Sequence, residues 1–249
     1  KNIFGKFDLC IASNLESENY LKILGAKNIK NYGNLKFSNI KDDKNKNLDP
    51  IFLNKIKNRK IWCAASTHLN EELLCGTTHF KIKKKHDNVL TIIIPRHINR
   101  VDKISDDLLK LNLKVILSSS IDQMSDETDV ILVNSYGETL KFFNVSKYVF
   151  VGKSFVESLK NDSGQNPIEA ARLGCKIYHG PNVSNFKEIY DHFNTLGITK
   201  KVNNPEELSL SLIGEFNDDK PKNYQVVSKI ENYGHNIFNN VNAELKKYI

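Results

Sequence analysis

The chain has 249 residues, 40% of them hydrophobic, and a formal net charge of +7 at pH 7. This is enough for one large domain or one and a part, and no apolar run approaches the length that crosses a bilayer. The excess charge comes from Lys, but no basic run is interleaved with aromatic residues, so nucleic-acid binding is not indicated and an anionic substrate or an acidic membrane face is favoured. The four Cys residues show no C-x-x-C spacing, which predicts free thiols and neither a zinc site nor a disulfide framework.

The first 50 residues predict a small unit followed by a linker. A strand is predicted over residues 7–12, a helix over residues 15–24 that Gly25 ends, and an extended stretch over residues 29–37. A βαβ unit of this size is too small to stand alone. Because the chain also opens without Met, we expect residues 1–37 to be the tail of a truncated N-terminal domain. Residues 38–50 are polar and rich in Lys and Asp, which predicts an interdomain linker.

A second run of alternating strands and helices occupies residues 51–249. The run at residues 89–94 is β-branched and lacks polar alternation, as expected of a parallel strand covered on both faces. This alternation predicts an α/β fold with a doubly wound parallel sheet, in which ligands bind at the carboxyl ends of the strands. The other strands are predicted at residues 60–65, 114–118, 129–133, 148–151, 176–178 and 198–202, and the helices at residues 70–84, 101–111, 137–145, 166–173 and 185–196, after Pro205, and at residues 224–248.

The stretch over residues 148–181 carries the clearest signal for a ligand. It is predicted to form a strand, a loop, a helix and a strand. Asn166 is a good N-cap, Pro167 suits the first helical position, and Glu169 stands third, which is a capping box with Asn in place of Ser or Thr. A loop that leads into a helix N-terminus at the end of a parallel strand is where α/β proteins hold phosphates. The pattern predicts a nucleotide site, although Glu169 is equally explained as a capping carboxylate alone.

Three further polar clusters follow predicted strands, at residues 66–68, 95–97 and 136–138. Arg96 stands out because the chain otherwise uses Lys, and a guanidinium binds phosphate in a bidentate manner that Lys lacks. A plain surface role is the alternative for Arg96, as solvation in a loop is for His68. Gly137 is also explained as a turn glycine, and Arg100 as a partner in a structural ion pair.

Seven motifs in chain order together resemble the 3-deoxy-D-manno-octulosonate (Kdo) transferases, a family that acts in lipopolysaccharide assembly. They are GNLKF at 33–37, AASTHLNEE at 64–72, PRHINR at 95–100, SYGETLKFF at 135–143, VGKSF at 151–155, GQNPIEAA at 164–171 and GPNVSNFKEI at 180–189.

The resemblance implies an inverting glycosyltransferase of the GT-B type, with two Rossmann-like domains that face each other across a cleft. This chain would hold a remnant of the N-terminal domain and all of the second domain. In the family the second domain binds CMP-Kdo, and the first binds the lipid A precursor, supplies the general base and carries the membrane anchor. We therefore expect a soluble, inactive fragment of an enzyme at the cytoplasmic side of the bacterial inner membrane. No cofactor or metal is expected, since no Asp-x-Asp motif or carboxylate cluster adjoins the phosphate loops.

By the same resemblance, two groups of residues form the site. Arg96 would contact the nucleotide phosphate, the loop at residues 136–138 would line the nucleotide pocket, and residues 166–169 would hold phosphate and ribose hydroxyls. The expected CMP-binding residues are Pro95, Arg96, His97, Tyr136, Gly137, Glu138, Asn166, Pro167, Ile168 and Glu169. The expected cleft-lining residues are Ser66, Thr67 and His68.

The chain departs from the family pattern at several positions. Family members usually have a second glycine where Lys153 stands, and two glycines and His where Ser163, Gly164 and Gln165 stand. Asn134 replaces an Asp, Asn70 replaces a Gly, and the loop over residues 156–163 is longer. Lys153 is expected to supply the cation that Gln165 cannot. Two alternatives therefore stay open: a GT-B enzyme that uses a UDP-linked donor, and a noncatalytic nucleotide-binding module.

Overall fold

The computed structural model describes residues 3–38, 49–155 and 162–248 of the chain. Residues 39–48 of the predicted linker and residues 156–161 of the predicted long loop lie outside this description. The chain divides into two compact units, Lys1–Asp42 with Gln225–Ile249, and Asp43–Tyr224. Within the described residues, no helix combines the length and the apolar character that a membrane span requires.

The smaller unit contains the predicted βαβ element. Strands β1 (Cys10–Ala12) and β2 (Ile29–Asn31) pair in parallel, and helix α1 (Leu15–Ile23) connects them. The Asn14 side chain caps α1 by accepting from the Ser17 amide at 2.7 Å, which stabilises the first turn. The strands are shorter than the predicted extended stretches, and residues 35–38 form a 3₁₀ turn instead of continuing the second one.

The terminal helix groups with this smaller unit, which differs from the boundary expected from the sequence. That helix, the last in the described chain, covers Tyr224–Leu245. Its Gly234 lies so close to the Phe37 carbonyl that a Cβ there would be 2.2 Å from the oxygen. Tyr32 donates to Glu244 at 2.9 Å, and the rings of Phe37 and Tyr233 meet edge to face at 5.1 Å. These contacts explain the grouping, which position in the chain alone does not reveal.

The larger unit is built on a parallel sheet of seven strands among the described residues. Their order across the sheet is β5-β6-β4-β3-β7-β8-β9, and every neighbouring pair is parallel. Strands β4, β5 and β6 lie on one side of β3, and β7, β8 and β9 lie on the other, so the order reverses between β3 and β7. This reversal point is where doubly wound sheets bind ligands. The strands are β3 (Lys60–Thr67), β4 (Val89–Pro95), β5 (Val115–Leu117), β6 (Val130–Leu132), β7 (Tyr148–Val151), β8 (Lys176–His179) and β9 (Thr199–Lys201).

Helices separate these strands as the alternating pattern predicts. Every residue of β4, β6 and β7 is buried, which fits their unbroken apolar sequences. One helix was not predicted: it begins behind an Asp49 cap at Pro50, the last residue of the predicted linker, and continues to Ile56. The helices of this unit are α2 (Pro50–Ile56), α3 (Glu71–Lys83), α4 (Val101–Leu109), α5 (Thr139–Val145), α6 (Ile168–Arg172), α7 (Lys187–Thr195) and α8 (Pro205–Asp218), so the terminal helix is α9.

Candidate functional site

The carboxyl ends of four central strands are aligned at one edge of the sheet. Thr67 of β3 pairs with Pro95 of β4, and Val151 of β7 pairs with both Ala65 and His179. The loops that follow these strands therefore leave the sheet side by side at the reversal point. The predicted polar clusters that follow β3, β4 and β7 therefore lie at this edge. The loop that follows β8 begins there too.

A buried carboxylate at the start of α3 joins two of these loops. Glu71, at the start of α3, is 1% exposed and accepts four backbone N–H groups. Its Oε2 accepts from His68 at 2.8 Å and Lys153 at 2.7 Å, and its Oε1 accepts from Ser154 and Phe155, each at 2.9 Å. Burial raises the pKa of Glu71, and the four amide donors oppose that shift. Glu71 thus fixes the loop after β3 against the loop after β7.

Close backbone packing explains the glycines of this edge. A Cβ at Gly152 would lie 2.6 Å from the Ser66 carbonyl oxygen and 2.7 Å from Glu71 Oε2. A Cβ at Gly180 would lie 2.3 Å from the Ser154 carbonyl oxygen. Ser154 connects the ends of β7 and β8, because its Oγ donates to the Val151 carbonyl and accepts from the Gly180 amide, both at 2.8 Å. Only glycine fits where these loops approach each other so closely.

The start of α6 is connected to the same loops. The Gly164 amide donates to the Lys153 carbonyl at 2.7 Å, and Tyr190 donates its hydroxyl to the Gln165 carbonyl at 3.1 Å. Asn166 and Arg96 therefore lie on the same edge of the sheet, linked through Thr67, Glu71, Lys153 and Gly164.

Neither the predicted Asn166 cap nor the predicted capping box forms, because Pro167 takes the N-cap position of α6. Asn166 Oδ1 accepts from the Ile168 amide at 3.1 Å, and the helix begins at Ile168, one residue later than expected. The Glu169 side chain is exposed and has no hydrogen-bond or ion-pair partner in the described part of the chain. It is therefore free to accept hydrogen bonds from a ligand.

Arg96 and Arg100 have different surroundings although they are four residues apart. The Arg96 amide donates to the Thr67 carbonyl at 3.0 Å, while its guanidinium is exposed and without a partner among the described residues. Arg100 instead donates twice to the carboxylate of Glu72, at 3.1 and 2.8 Å. The structural ion pair predicted for Arg100 is confirmed.

His68 is half-buried among cationic groups. Its ring meets that of His97 edge to face at 5.7 Å, and its Nδ1 lies 3.1 Å from the Ser66 carbonyl oxygen. Burial lowers the pKa of His68, the Ser66 carbonyl opposes the shift, and the charges of Lys153 and Arg100 add to the lowering.

The loop after β6 lies further along the same edge, because Leu132 pairs with Ile93 of β4. Tyr136 is 70% exposed, and Gly137 has a left-handed φ of 81° with open space around its Cα. Glu138 is paired with Lys141 at 2.7 Å. Tyr136 is thus the large side chain that this loop presents to solvent.

Four of the expected site residues have buried side chains and face the protein interior: Thr67, Pro95, Pro167 and Ile168. The sequence predicted Thr67 in a loop, but Thr67 is the last residue of β3, because the strand continues past an irregularity at Ser66. Thr67 is fully buried, so it supports the edge and does not line an open surface.

Within the described residues, His, Cys, Asp and Glu side chains form no group of three or more that could hold a metal ion.

A cavity of about 490 Å³ lies at the opposite edge of the sheet, beside the start of β3 and β7. Two of its cations already have partners: Lys60 donates to the Phe216 carbonyl at 2.9 Å, and Lys147 pairs with Asp219 at 2.8 Å. The reversal point and the unpartnered groups are at the carboxyl edge, so we place the candidate site there.

Comparison with known proteins gives a consistent relationship. No family model matches the chain. The chain is 31% identical over 159 residues to the 3-deoxy-D-manno-octulosonic acid transferase of Haemophilus influenzae, covering 64% of this chain and 36% of that protein. It is 29% identical over 205 residues to the transferase of the same name from Rickettsia bellii, covering 81% of this chain and 48% of that protein. The chain thus spans between about a third and a half of the length of these two relatives.

Among solved structures, the C-terminal CMP-Kdo binding domain of WaaA from Acinetobacter baumannii matches with a TM-score of 0.62 and 23% sequence identity. The match covers 74% of this chain and 91% of that domain. At this level of identity, the likeness supports the Rossmann-like fold.

Proposed function

Because the chain belongs to the family of the 3-deoxy-D-manno-octulosonic acid transferases, we propose that its larger unit binds CMP-Kdo at the carboxyl edge of the sheet. In the whole protein this binding serves the transfer of Kdo to a lipid A precursor in lipopolysaccharide biosynthesis. The observation that carries the proposal is the placement of the unpartnered Arg96 and Glu169 at one edge, beside the point where the strand order reverses.

Each exposed group at this edge suits one part of a cytidine nucleotide. The Arg96 guanidinium binds phosphate oxygens, and the Glu169 carboxylate accepts from both ribose hydroxyls. The Tyr136 ring offers an apolar face for the base. Asn166 is held by its bond to the Ile168 amide and orders the backbone at the start of α6.

The proposed reaction is inverting, and negative charge develops on the phosphate of the departing CMP. Arg96 stabilises that charge from a fixed position, because its backbone is bonded to β3. The resemblance assigns the general base and the acceptor site to the other domain of the family. We therefore propose that these 249 residues bind the donor without transferring the sugar, and that the whole enzyme acts at the cytoplasmic face of the inner membrane.

Calorimetric titration with CMP tests the site. We expect the wild-type chain to bind CMP, and both Arg96→Ala and Glu169→Ala to weaken binding by about 10- to 100-fold, since each removes hydrogen bonds to a charged group. Glu16→Ala is the matched control, because Glu16 is also an exposed first-turn glutamate but lies in the smaller unit. Equal affinities for all four proteins would contradict the proposal.

Titration with UDP separates the proposed donor from the alternative that uses a uridine nucleotide. Tighter binding of UDP than of CMP would reject CMP-Kdo as the donor while leaving the site in place. Binding of neither nucleotide would reject the nucleotide site itself.

A further inference from the structure

Lys153 offers a second positive group at this edge. We propose that Lys153 Nζ binds an anionic oxygen of the donor, either a phosphate oxygen or the carboxylate of the sugar, in exchange for its ion pair with Asp162. This inference rests on the proposed function and adds to it a residue that recognises the ligand's charge.

The backbone of Lys153 is held in a conformation that suits glycine. Its φ is 57°, in the left-handed region that side-chain-bearing residues seldom adopt. The conformation is fixed from both sides, because the Lys153 amide donates to Glu71 and its carbonyl accepts from Gly164, both at 2.7 Å. The direction in which the side chain leaves the loop is therefore set by the buried network.

The Lys153 side chain is unusually shielded for a lysine. It is 13% exposed, whereas the paired lysines Lys110 and Lys187 are 74% and 71% exposed. In the described part of the chain its Nζ has one partner, Asp162 Oδ2, at 3.0 Å. A shielded ammonium needs an anionic partner, so Lys153 is suited to hold one.

The Asp162 partner is suited to exchange. Its side chain is 69% exposed, and its other oxygen accepts from Asn185 Nδ2 at 2.6 Å. On release from Lys153, the carboxylate keeps that bond and turns to water. Because Asp162 is itself exposed and keeps a partner in Asn185, a ligand oxyanion can replace it at Lys153 Nζ.

The buried carboxylates near Lys153 are already bound by other groups. The buried carboxylate of Glu71 is occupied by four amides, and that of Glu72 by Arg100. Arg96 has no described partner. Arg96 thus remains unpaired within the described part of this edge, and Lys153 becomes available when Asp162 is displaced, so a ligand oxyanion finds a positive partner there.

Two variants with opposite expected effects test the inference. Lys153→Met should weaken binding of the donor by about tenfold, because one charge-assisted hydrogen bond is lost. Asp162→Asn should tighten it by about two- to fivefold, since the competing carboxylate is removed. Lys187→Met, which removes an exposed lysine of α7, is the control and should bind as wild type.

Titrations with CMP and with CMP-Kdo distinguish the two sources of the anion. Weaker binding of both ligands by Lys153→Met identifies the phosphate, and weaker binding of CMP-Kdo alone identifies the sugar carboxylate. If Lys153 only ties the loop, both variants weaken binding in the same direction, which overturns the inference. Wild-type affinity of Lys153→Met for both ligands also overturns it. Failure of the wild-type chain to bind either ligand instead overturns the proposed function, and the inference with it.

Discussion

The carboxylate of Glu71 is predicted to be essential to the stability of the larger unit. In Glu71→Gln one oxygen remains, and an NH₂ group replaces the other. Two of the four amides that Glu71 accepts then face a donor and lose their acceptor. Hydrogen bonds to a charged group contribute about 1.5–3 kcal/mol each, so two of them amount to about 3–6 kcal/mol. Water at the loop edge recovers part of this, and we expect a loss of about 3–4 kcal/mol in the free energy of unfolding.

Urea unfolding followed by tryptophan fluorescence measures this loss directly. Trp62 is the only tryptophan of the chain, and it is fully buried in β3 of the larger unit. Its emission therefore reports unfolding of the unit that contains Glu71. Glu188→Gln is the control, because Glu188 is an exposed first-turn glutamate of α7 and should change stability by less than about 0.5 kcal/mol. Glu71→Gln with wild-type stability would refute the role assigned to this carboxylate.

Two further predictions use the same assay. Gly152→Ala should cost about 1–3 kcal/mol, because its Cβ would lie 2.6 Å from the Ser66 carbonyl oxygen, whereas Gly214→Ala, in open space on α8, should be neutral or stabilising. Burial lowers the pKa of His79, although its bond to Asp129 opposes this shift. The stability contributed by neutral His79 is therefore present above its unfolded pKa of about 6.5 and lost as the pH falls through that value toward the folded pKa. We expect the free energy of unfolding to decline between pH 7 and pH 5, and His79→Asn to reduce this decline. An unchanged decline in that variant would contradict the prediction.

The strands of the larger unit could be predicted because their signal is local. The runs at residues 89–94 and 148–151 are apolar without alternation, and both are buried strands in the structure. Their parallel order then places the loops that follow them at one edge. That reasoning alone predicts that Arg96 and Asn166 lie on the same side of the sheet.

The residues that the sequence did not reveal depend on contacts between distant segments. Glu71 looks like a first-turn glutamate, and its main partners, Lys153, Ser154 and Phe155, are more than 80 residues away. The left-handed backbone of Lys153 is indicated only by the glycine that family members usually have at this position. The grouping of α9 with the smaller unit depends on Gly234 meeting Phe37, a contact that helical periodicity does not specify.

Hydrogen exchange with and without CMP tests the central claim, that the nucleotide binds at the carboxyl edge of the sheet. The account predicts slower exchange on CMP addition in peptides that cover residues 95–97, 136–138 and 164–172. Peptides over residues 57–61 and 145–148, beside the cavity at the amino edge, should exchange at the same rate in both states. Protection confined to the amino edge, or no protection at the carboxyl edge with CMP bound, would contradict the account.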